Sequence, residues 1–526
     1  MNNRYILPAI LIMALVVRVI SLADHSLWYD EAFSVLFAQN DLTTMVTGTV
    51  NAIEHPLLYY LGLNVWMRVA GDSVFMIRLF SVVMGVATIG VMYVLGRDLF
   101  DRRTGLVVAL LVAFAPFHLQ YSQEARMYSL LALLLMLTTW FYVRGTHALT
   151  QSHIDADTAE RKTASSVPDA LWWVLFGISA GLAMHTQQLA AFYLLALGLA
   201  PLLARRWDVF LRVVGGAGIA LVIFAPWLIN LPAQLAQLNA NYWINEPSAF
   251  DPFITLGIFF VGFHEYAVTQ ALWLYGGAIF VTLLALVQVG LYARKPRRRQ
   301  SSDTGAITLV LWLFIAPIVL MWLVSQVVPV YLERALIPAA MMLYVVLGWF
   351  FTRAGVPRFV SYALFVVVGA LFVRGDWQQY QVDSFPYAPV DPAMAYIASN
   401  STDPIIIHMN KLTMLPAQVA APQLTHRFIA DREGSPQDTL DPSTQDVLGV
   451  RESRCVQAAA HGASDTVWLV TLARAEQQYL SSGIDDFSNA QAWLRETFVP
   501  SGEQTFEDVN IYRYTVTDTT FARDCD

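Results

Sequence analysis

Long apolar runs separated by short polar joints dominate the first 375 positions of the chain. A helix needs roughly 20 mostly apolar residues to cross about 30 Å of hydrocarbon. Runs of that kind occupy 5–23, 75–96, 104–122, 127–144, 170–186, 188–204, 210–230, 271–293, 306–327, 336–352 and 357–374, which predicts eleven transmembrane helices. The fifth and sixth meet at a very short joint, Met184–Gln188, and the run 253–266 is broken by His264 and Glu265, so it is expected to be a partly embedded helix. Tyr5–Ala23 is interrupted only by Arg18 and has no small-x-small cleavage site before Asp24 and His25. It reads as a first membrane helix that also directs insertion, rather than a cleaved signal.

After residue 375 the pattern changes. Ile405–His408, Val467–Thr471 and Ile511–Val516 have the short β-branched character of strands, Asn489–Phe498 the spacing of an amphipathic helix, and 415–450 the Pro, Asp, Gln and Ser content of loops. The predicted fold class is a mainly α polytopic membrane protein with a C-terminal soluble α/β domain. The expected domains are 1–375, including a first outer loop at 24–74, and 376–526.

Composition agrees with that division. The chain is 56% hydrophobic and 14% charged, away from the balance of a soluble globular protein. Residues 376–526 hold 21 acidic and 9 basic residues, a net of −12 against −8 for the whole chain, which leaves the front part slightly basic. Both cysteines, Cys455 and Cys525, lie in the tail; they can pair outside the cytoplasm or stand as free thiols. Seventeen Lys and Arg residues, from Arg4 through the run 294–299 to Arg358, fall at one set of helix ends. Arg68, Arg78, Arg126, Arg334 and Arg374 fall at the other. The excess marks the first set as cytoplasmic. The expected location is the plasma membrane, with a cytoplasmic N-terminus and an extracytoplasmic C-terminal domain. The basic run beside a span is a topology signal, so no nucleic-acid partner is expected.

Parity then gathers the polar segments on the outer face: Trp28-Tyr29-Asp30-Glu31, Glu54-His55-Pro56, Gln123–Tyr128, His185–Gln188 and Tyr331–Arg334. Asp30 and Glu31 open an expected amphipathic helix, Glu31–Phe37. In the plain reading they complement its dipole. In the functional one a carboxylate shielded by Trp28 and Tyr29 takes a proton from an acceptor hydroxyl. His55 before Pro56 is either a capping residue or part of a site. Glu54 and His55 with the acidic pair are metal-binding residue types, at a spacing that matches no specific metal motif. Arg126, beside Glu124, either snorkels to headgroups or presents its planar fork to a phosphate, and Arg334 repeats that logic.

Trp28-Tyr29-Asp30-Glu31, His55-Pro56-Leu57-Leu58-Tyr59-Tyr60, Arg78-Leu79-Phe80-Ser81 and Gln123-Glu124-Ala125-Arg126-Met127-Tyr128, in that order, resemble bacterial glycosyltransferase family 39. That family is related to the protein O-mannosyltransferases and the aminoarabinose transferases. A weaker echo continues through His185 and Tyr331–Pro338. The resemblance implies a C-type glycosyltransferase fold, a polyprenyl-phosphate sugar as donor, and an inverting, metal-independent transfer with no cofactor. It implies Asp30 as base with Glu31 its neighbour. Trp28, Tyr29, His55, Glu124, Arg126, Tyr128, His185 and Arg334 are the expected substrate-binding residues. The chain departs from the family pattern in having Leu57 where a second Pro is frequent, and Gln187 where an aromatic often occurs.

The expected activity is transfer of a hexose or pentose, mannose-like or otherwise, from a polyprenyl-phosphate donor in the bilayer to a protein, lipid or glycan hydroxyl. The alternative is a transporter or flippase of lipid-linked or small solutes. That would favour paired charges within spans and internal repeat symmetry, neither of which is clear in the sequence. A tail that binds an envelope polymer, with the helices as anchor, would need neither eleven spans nor one-sided polar clusters.

Overall fold

The computed structural model describes residues 3–51, 56–158, 168–230, 246–294, 301–381, 386–430 and 442–517, with Ile244, Leu440 and Cys525. The chain forms two compact units. One is built from residues 1–20, 78–229 and 244–381, the other from 21–77, 230–243 and 382–526.

Helix α1 (Ile6–Val19) belongs to the first unit, and α2 (Tyr29–Ala38), α3 (Leu42–Asn51) and α4 (Leu58–Ala70) to the second. The first unit resumes with α5 (Val74–Leu99), α6 (Arg102–Ala113), α7 (Pro116–Gln123), α8 (Tyr128–Thr158), α9 (Asp169–Met184), α10 (Ala190–Leu203) and α11 (Trp207–Leu228). It continues with α12 (Asp251–Val261), α13 (Val268–Ala293), α14 (Ser301–Ser325), α15 (Ile337–Arg353) and α16 (Arg358–Gln379). All eleven predicted apolar runs are helical. Among the described residues, 7 helices are long and apolar enough to cross a membrane, or 8 if the pair α6 and α7, bent by 57°, forms one span. Helices α1, α9 and α10 are shorter, at 14, 16 and 14 residues. The run at 253–266 is the 11-residue α12, which stops at Gly262 with a left-handed φ of +78°.

The bend between α6 and α7 explains the one charge inside α1. Pro116 sits at the start of α7 and has no N–H, so the last carbonyls of α6 lose their helical donor. Arg18, with no exposed surface, supplies the replacement. Its Nη1 donates to the carbonyls of Ala113 (2.8 Å) and Ala14 (3.2 Å), and its Nη2 to that of Val112 (3.3 Å). The same Nη2 lies 2.9 Å from Nδ1 of buried His118. A cation at the C-terminal end of α6 also meets the negative end of its dipole. Arg18 lies within the apolar run 5–23 but in the last turn of α1, where its charge is bound to backbone.

Small residues let other helices approach closely. A Cβ on Gly177 of α9 would stand 2.5 Å from the carbonyl oxygen of Gly216 of α11, so these two helices meet backbone to backbone.

The second unit contains α17 (Val390–Asn400), α18 (Lys411–Ala420), α19 (Pro442–Leu448), α20 (Val456–Ala459), α21 (Ala473–Ser481) and α22 (Asp486–Thr497). Its strands are β1 (Pro404–His408), β2 (Thr425–Ile429), β3 (Glu452–Ser453), β4 (Thr466–Leu472), β5 (Val499–Phe506) and β6 (Val509–Thr515), in the order β3-β2-β1-β4-β6-β5. The first four are parallel, while β6 and β5 run antiparallel. Strand alternation fills two cores. Ile406, Trp468 and Val470 pack with α17 and α21 on one face; Ile405, Ile407, Val467 and Leu469 pack with α20 and α22 on the other. A disulfide joins Cys455 to Cys525 across 5.7 Å between Cα atoms.

Two expectations change here. The stretch 415–450, expected as loop, holds the end of α18, β2 and α19; its Pro416 is accommodated inside α18. The loop 24–74, attached in the sequence reading to the membrane domain, folds with the C-terminal segment instead. The Asn40 side chain donates to the carbonyl of Val447 (3.0 Å), and Asp391 N donates to Ser26 Oγ (3.1 Å). Helix α2 has an apolar face, Ala32, Phe33, Val35 and Phe37, that must be covered, and periodicity does not say by what.

Replacing Arg18 by Met should strand the carbonyls at the α6 break and cost about 2–4 kcal/mol of stability. A thermal melt of the purified protein checks this; an unchanged melting temperature would refute the capping role.

Candidate active site

In the second unit the acidic pair is divided by its local geometry. Trp28 has extended backbone and forms the N-cap of α2, so Glu31 falls at the third helical position. From there the Glu31 carboxylate reaches back to accept from Trp28 N at 3.4 Å, the reciprocal arm of a capping box. Glu31 has no exposed surface, whereas Asp30, one residue earlier, is half-buried. The Asp30 carbonyl accepts from Ser34 Oγ at 3.0 Å, an internal helix bond that leaves its carboxyl group outside the ladder. Trp28 and Tyr29 flank the pair, both half-buried. The ring of Tyr29 has the ammonium of Lys411 5.7 Å from its centroid.

In the first unit, α7 ends and α8 begins within the turn Glu124–Met127. Glu124, Arg126 and Tyr128 are all buried, at 1%, 4% and 0% exposure, which excludes plain snorkelling of Arg126 to solvent. The turn is closed by Arg126 N donating to the Glu124 carbonyl at 2.8 Å. Ser129 Oγ donates to the Tyr121 carbonyl at 2.8 Å. Ser81 Oγ donates to the carbonyl of Arg126 at 3.4 Å, so two of the family-like segments meet. The guanidinium of Arg334 lies 5.6 Å from the centroid of the Tyr128 ring, and the rings of Tyr128 and Tyr121 are 4.9 Å apart, edge to face. Arg334, two hundred residues away in sequence, is therefore brought to the same turn.

The other predicted residues have different surroundings. His185 caps α9 with its Nε2 2.8 Å from the carbonyl of Ile223 in α11, and packs edge-on against Phe224. Its described contacts tie two helices together and do not reach the Glu124–Tyr128 turn. His55 and Glu54 lie outside the described residues. Among the described residues no group of three His, Cys, Asp or Glu side chains is placed to hold a metal ion.

Two features were missed in the sequence. One is Lys411, buried to 1% exposure although it is the sole lysine of residues 376–526. That isolation within an apolar stretch was the available signal. The other is a cavity of about 610 Å³ in the second unit, lined by His426, Arg427, Asp446, Arg451, Glu452 and His461 among others. Nothing in the spacing of these residues announces it, because they come from four separate segments.

Comparison with known proteins follows the same lines. Residues 54–152 match the family model described as dolichyl-phosphate-mannose-protein mannosyltransferase. The chain is 24% identical over 372 residues to undecaprenyl phosphate-alpha-4-amino-4-deoxy-L-arabinose arabinosyl transferase 1 of Pseudomonas fluorescens, covering 65% of this chain and 60% of that one. The corresponding Pseudomonas aeruginosa enzyme is 27% identical over 261 residues, 46% of this chain and 43% of that one. The chain thus spans less than two thirds of the length of these relatives. Among solved structures it is similar to ArnT from Cupriavidus metallidurans bound to undecaprenyl phosphate, with 16% identity, 98% of each chain covered and a TM-score of 0.50. It is also similar to the apo oligosaccharyltransferase of Archaeoglobus fulgidus, with 12% identity, 94% of this chain and 73% of that one covered, and a TM-score of 0.55. The class is a multi-pass membrane protein whose fold is similar to that of these two structures. Within that class the chain is similar to the mannosyltransferase family model over residues 54–152, the stretch that holds three of the four segments, and to the two arabinosyl transferases.

A double-mutant cycle tests the Arg334–Tyr128 contact. Replacing Tyr128 by Leu and Arg334 by Met should show a coupling of about 0.5–2 kcal/mol in thermal stability. Strictly additive losses would remove the contact from the site.

Proposed function

We propose that the protein transfers a sugar from a polyprenyl-phosphate donor to an extracytoplasmic hydroxyl, with inversion at the anomeric carbon. The observation that carries the reading is the unequal fate of the acidic pair. Glu31, with no exposed surface, bonds back to the helix cap, while Asp30 is half-buried at the start of α2. Kinship with enzymes named for an undecaprenyl-phosphate sugar supports the donor class.

In the proposed mechanism Asp30 accepts the proton of the acceptor hydroxyl as its oxygen attacks the anomeric carbon. The bond to the donor's phosphate oxygen breaks, and polyprenyl phosphate leaves with the electron pair. Negative charge grows on that leaving group, so Arg126 and Arg334, proposed as its ligands, stabilise the transition state more than the ground state. Trp28 and Tyr29 flank the base and limit water, and Glu124 and Tyr128 hold the arginine-bearing turn. No metal is assigned a role. The loop with Asp30 and the C-terminal domain are proposed to be extracytoplasmic and the N-terminus cytoplasmic. The 17-to-5 bias of Lys and Arg supports this, as does the Cys455–Cys525 bond, which persists in oxidising compartments.

Arg18 is the one charge within the apolar run 5–23, and a transporter would call for such a charge. Its guanidinium is bonded to three backbone carbonyls, which favours a structural role over a transport one.

Purified protein incubated with a panel of polyprenyl-phosphate sugars should release polyprenyl phosphate with one or more of them. Asp30→Asn should lower that rate by at least about a hundredfold while the protein remains folded, in keeping with the usual contribution of a general base. A variant that keeps the wild-type rate would sink the assignment. Incubation with EDTA should leave the wild-type rate unchanged, and loss restored by a divalent cation would overturn the metal-free mechanism.

A further inference from the structure

The acidic segment raises an electrostatic question that α2 alone does not answer. A carboxylate as deeply buried as Glu31 is costly unless a cation and hydrogen bonds compensate it. One of its hydrogen bonds comes from Trp28 N, at 3.4 Å. Helices α4, α18 and α19 pack on α2. Among their described residues the basic side chains are Arg68, exposed in the last turn of α4, and Lys411, buried in the first turn of α18.

Lys411 is itself in an unfavourable place. Its ammonium is buried, and it sits at the N-terminal end of α18, where the helix dipole repels a cation. The N-cap beside it is already occupied, since the Asn410 side chain accepts from Leu412 N at 3.1 Å. The neighbouring end of β1 offers no negative charge. His408, its last residue, is bonded to Thr413 and to His426, and burial lowers the pKa of both imidazoles, which keeps them neutral. A lysine survives in such a position when a carboxylate and an aromatic face supply what solvent would have given. The aromatic face is Tyr29, 5.7 Å from Nζ, and the next two residues of the chain are Asp30 and Glu31.

The position within the sheet is also telling. Strand β1 has β2 on one side and β4 on the other, so the chain reverses its direction of travel across the sheet at β1. In open parallel sheets, groups that act on ligands gather outside the carboxyl ends of the strands at such a switch point. Lys411 follows β1 there by three residues.

We propose that Lys411 is the counter-ion and positioning residue of the Tyr29–Glu31 segment, so that the C-terminal domain completes the site carrying Asp30. Its catalytic consequence rests on the reading of Asp30 as the base. The electrostatic pairing does not.

The test uses the full-length protein purified in lipid nanodiscs. Lys411→Met should lower the melting temperature by stranding the carboxylates. Adding Asp30→Asn and Glu31→Gln to that variant should raise it again, because the stranded charges are gone. Additive losses, or no loss in Lys411→Met, would overturn the pairing. If Lys411→Met alone yields no folded protein, recovery in the triple variant supports the pairing and failure to recover overturns it. On the polyprenyl-phosphate sugar that the panel identifies, Lys411→Met should lose about tenfold or more in kcat with donor KM within about twofold, and Lys411→Arg should regain most of the rate. Stability coupling with an unchanged kcat would overturn the positioning role. Retained activity in Asp30→Asn would sink the base assignment while the stability cycle still decides Lys411. An inactive Asp30→Asn with no coupling to Lys411 would remove Lys411 alone.

Discussion

A backbone carbonyl inside a bilayer has no water to bond to, and that constraint organises the membrane unit around Arg18. The break between α6 and α7 is imposed by Pro116 and leaves carbonyls at Val112 and Ala113 without helical donors. A single guanidinium, entering from α1, satisfies both while bonding its own helix at Ala14 and meeting His118 of α7. The turn that follows α7, with Glu124, Arg126 and Tyr128, starts from the position the bend gives it. Its own bonds to Ser81 and its approach to Arg334 then fix it to α5 and to the entry of α15.

The second unit obeys a related rule with charges in place of carbonyls. The central parallel strands β1 and β4 are buried throughout, so the polar groups left beside them are expensive and must compensate one another. Buried His408, Asn410 and Lys411 cluster where β1 hands over to α18. The helix that carries Asp30 and Glu31 packs on α18, which places the acidic pair and the domain's one lysine in the same unit. A carboxylate beside aromatic side chains is easier to keep ionised with a fixed cation nearby. Building the loop 24–74 and the tail as one body gives that arrangement without demanding it of the membrane helices.

Much of this was legible in the chain. All eleven apolar runs are helical, and strands expected at 405–408, 467–471 and 511–516 lie within β1, β4 and β6, extended by at most two residues, apart from Val516 just past the end of β6. The helix expected at 489–498 is part of α22, and the one at 31–37 part of α2. These elements are set by local periodicity, which the sequence states directly. The stretch 415–450 misled because Pro and Asp are poor formers of regular structure in isolation, and burial against the sheet overrode that preference for α18 and β2. His185 shows the opposite limit. Its chemistry suits a site, but the carbonyl of Ile223 is the partner the fold gives it.

Sequence alone determined that the chain crosses a membrane many times, that a small α/β domain follows, and that Trp28–Glu31 and Gln123–Tyr128 are the segments that resemble a glycosyltransferase family. Hydrophobic length, alternation and local motif are one-dimensional quantities, so they can be read in one dimension. Tertiary structure decided which carboxylate of the pair is spent on a cap, which arginine is spent on a broken helix, and which is drawn to Tyr128. It also decided that the loop 24–74 folds with the tail and that Lys411 is buried beside Tyr29. Each of these depends on which surfaces meet across hundreds of residues, and a residue's partners, unlike its periodicity, are not written next to it.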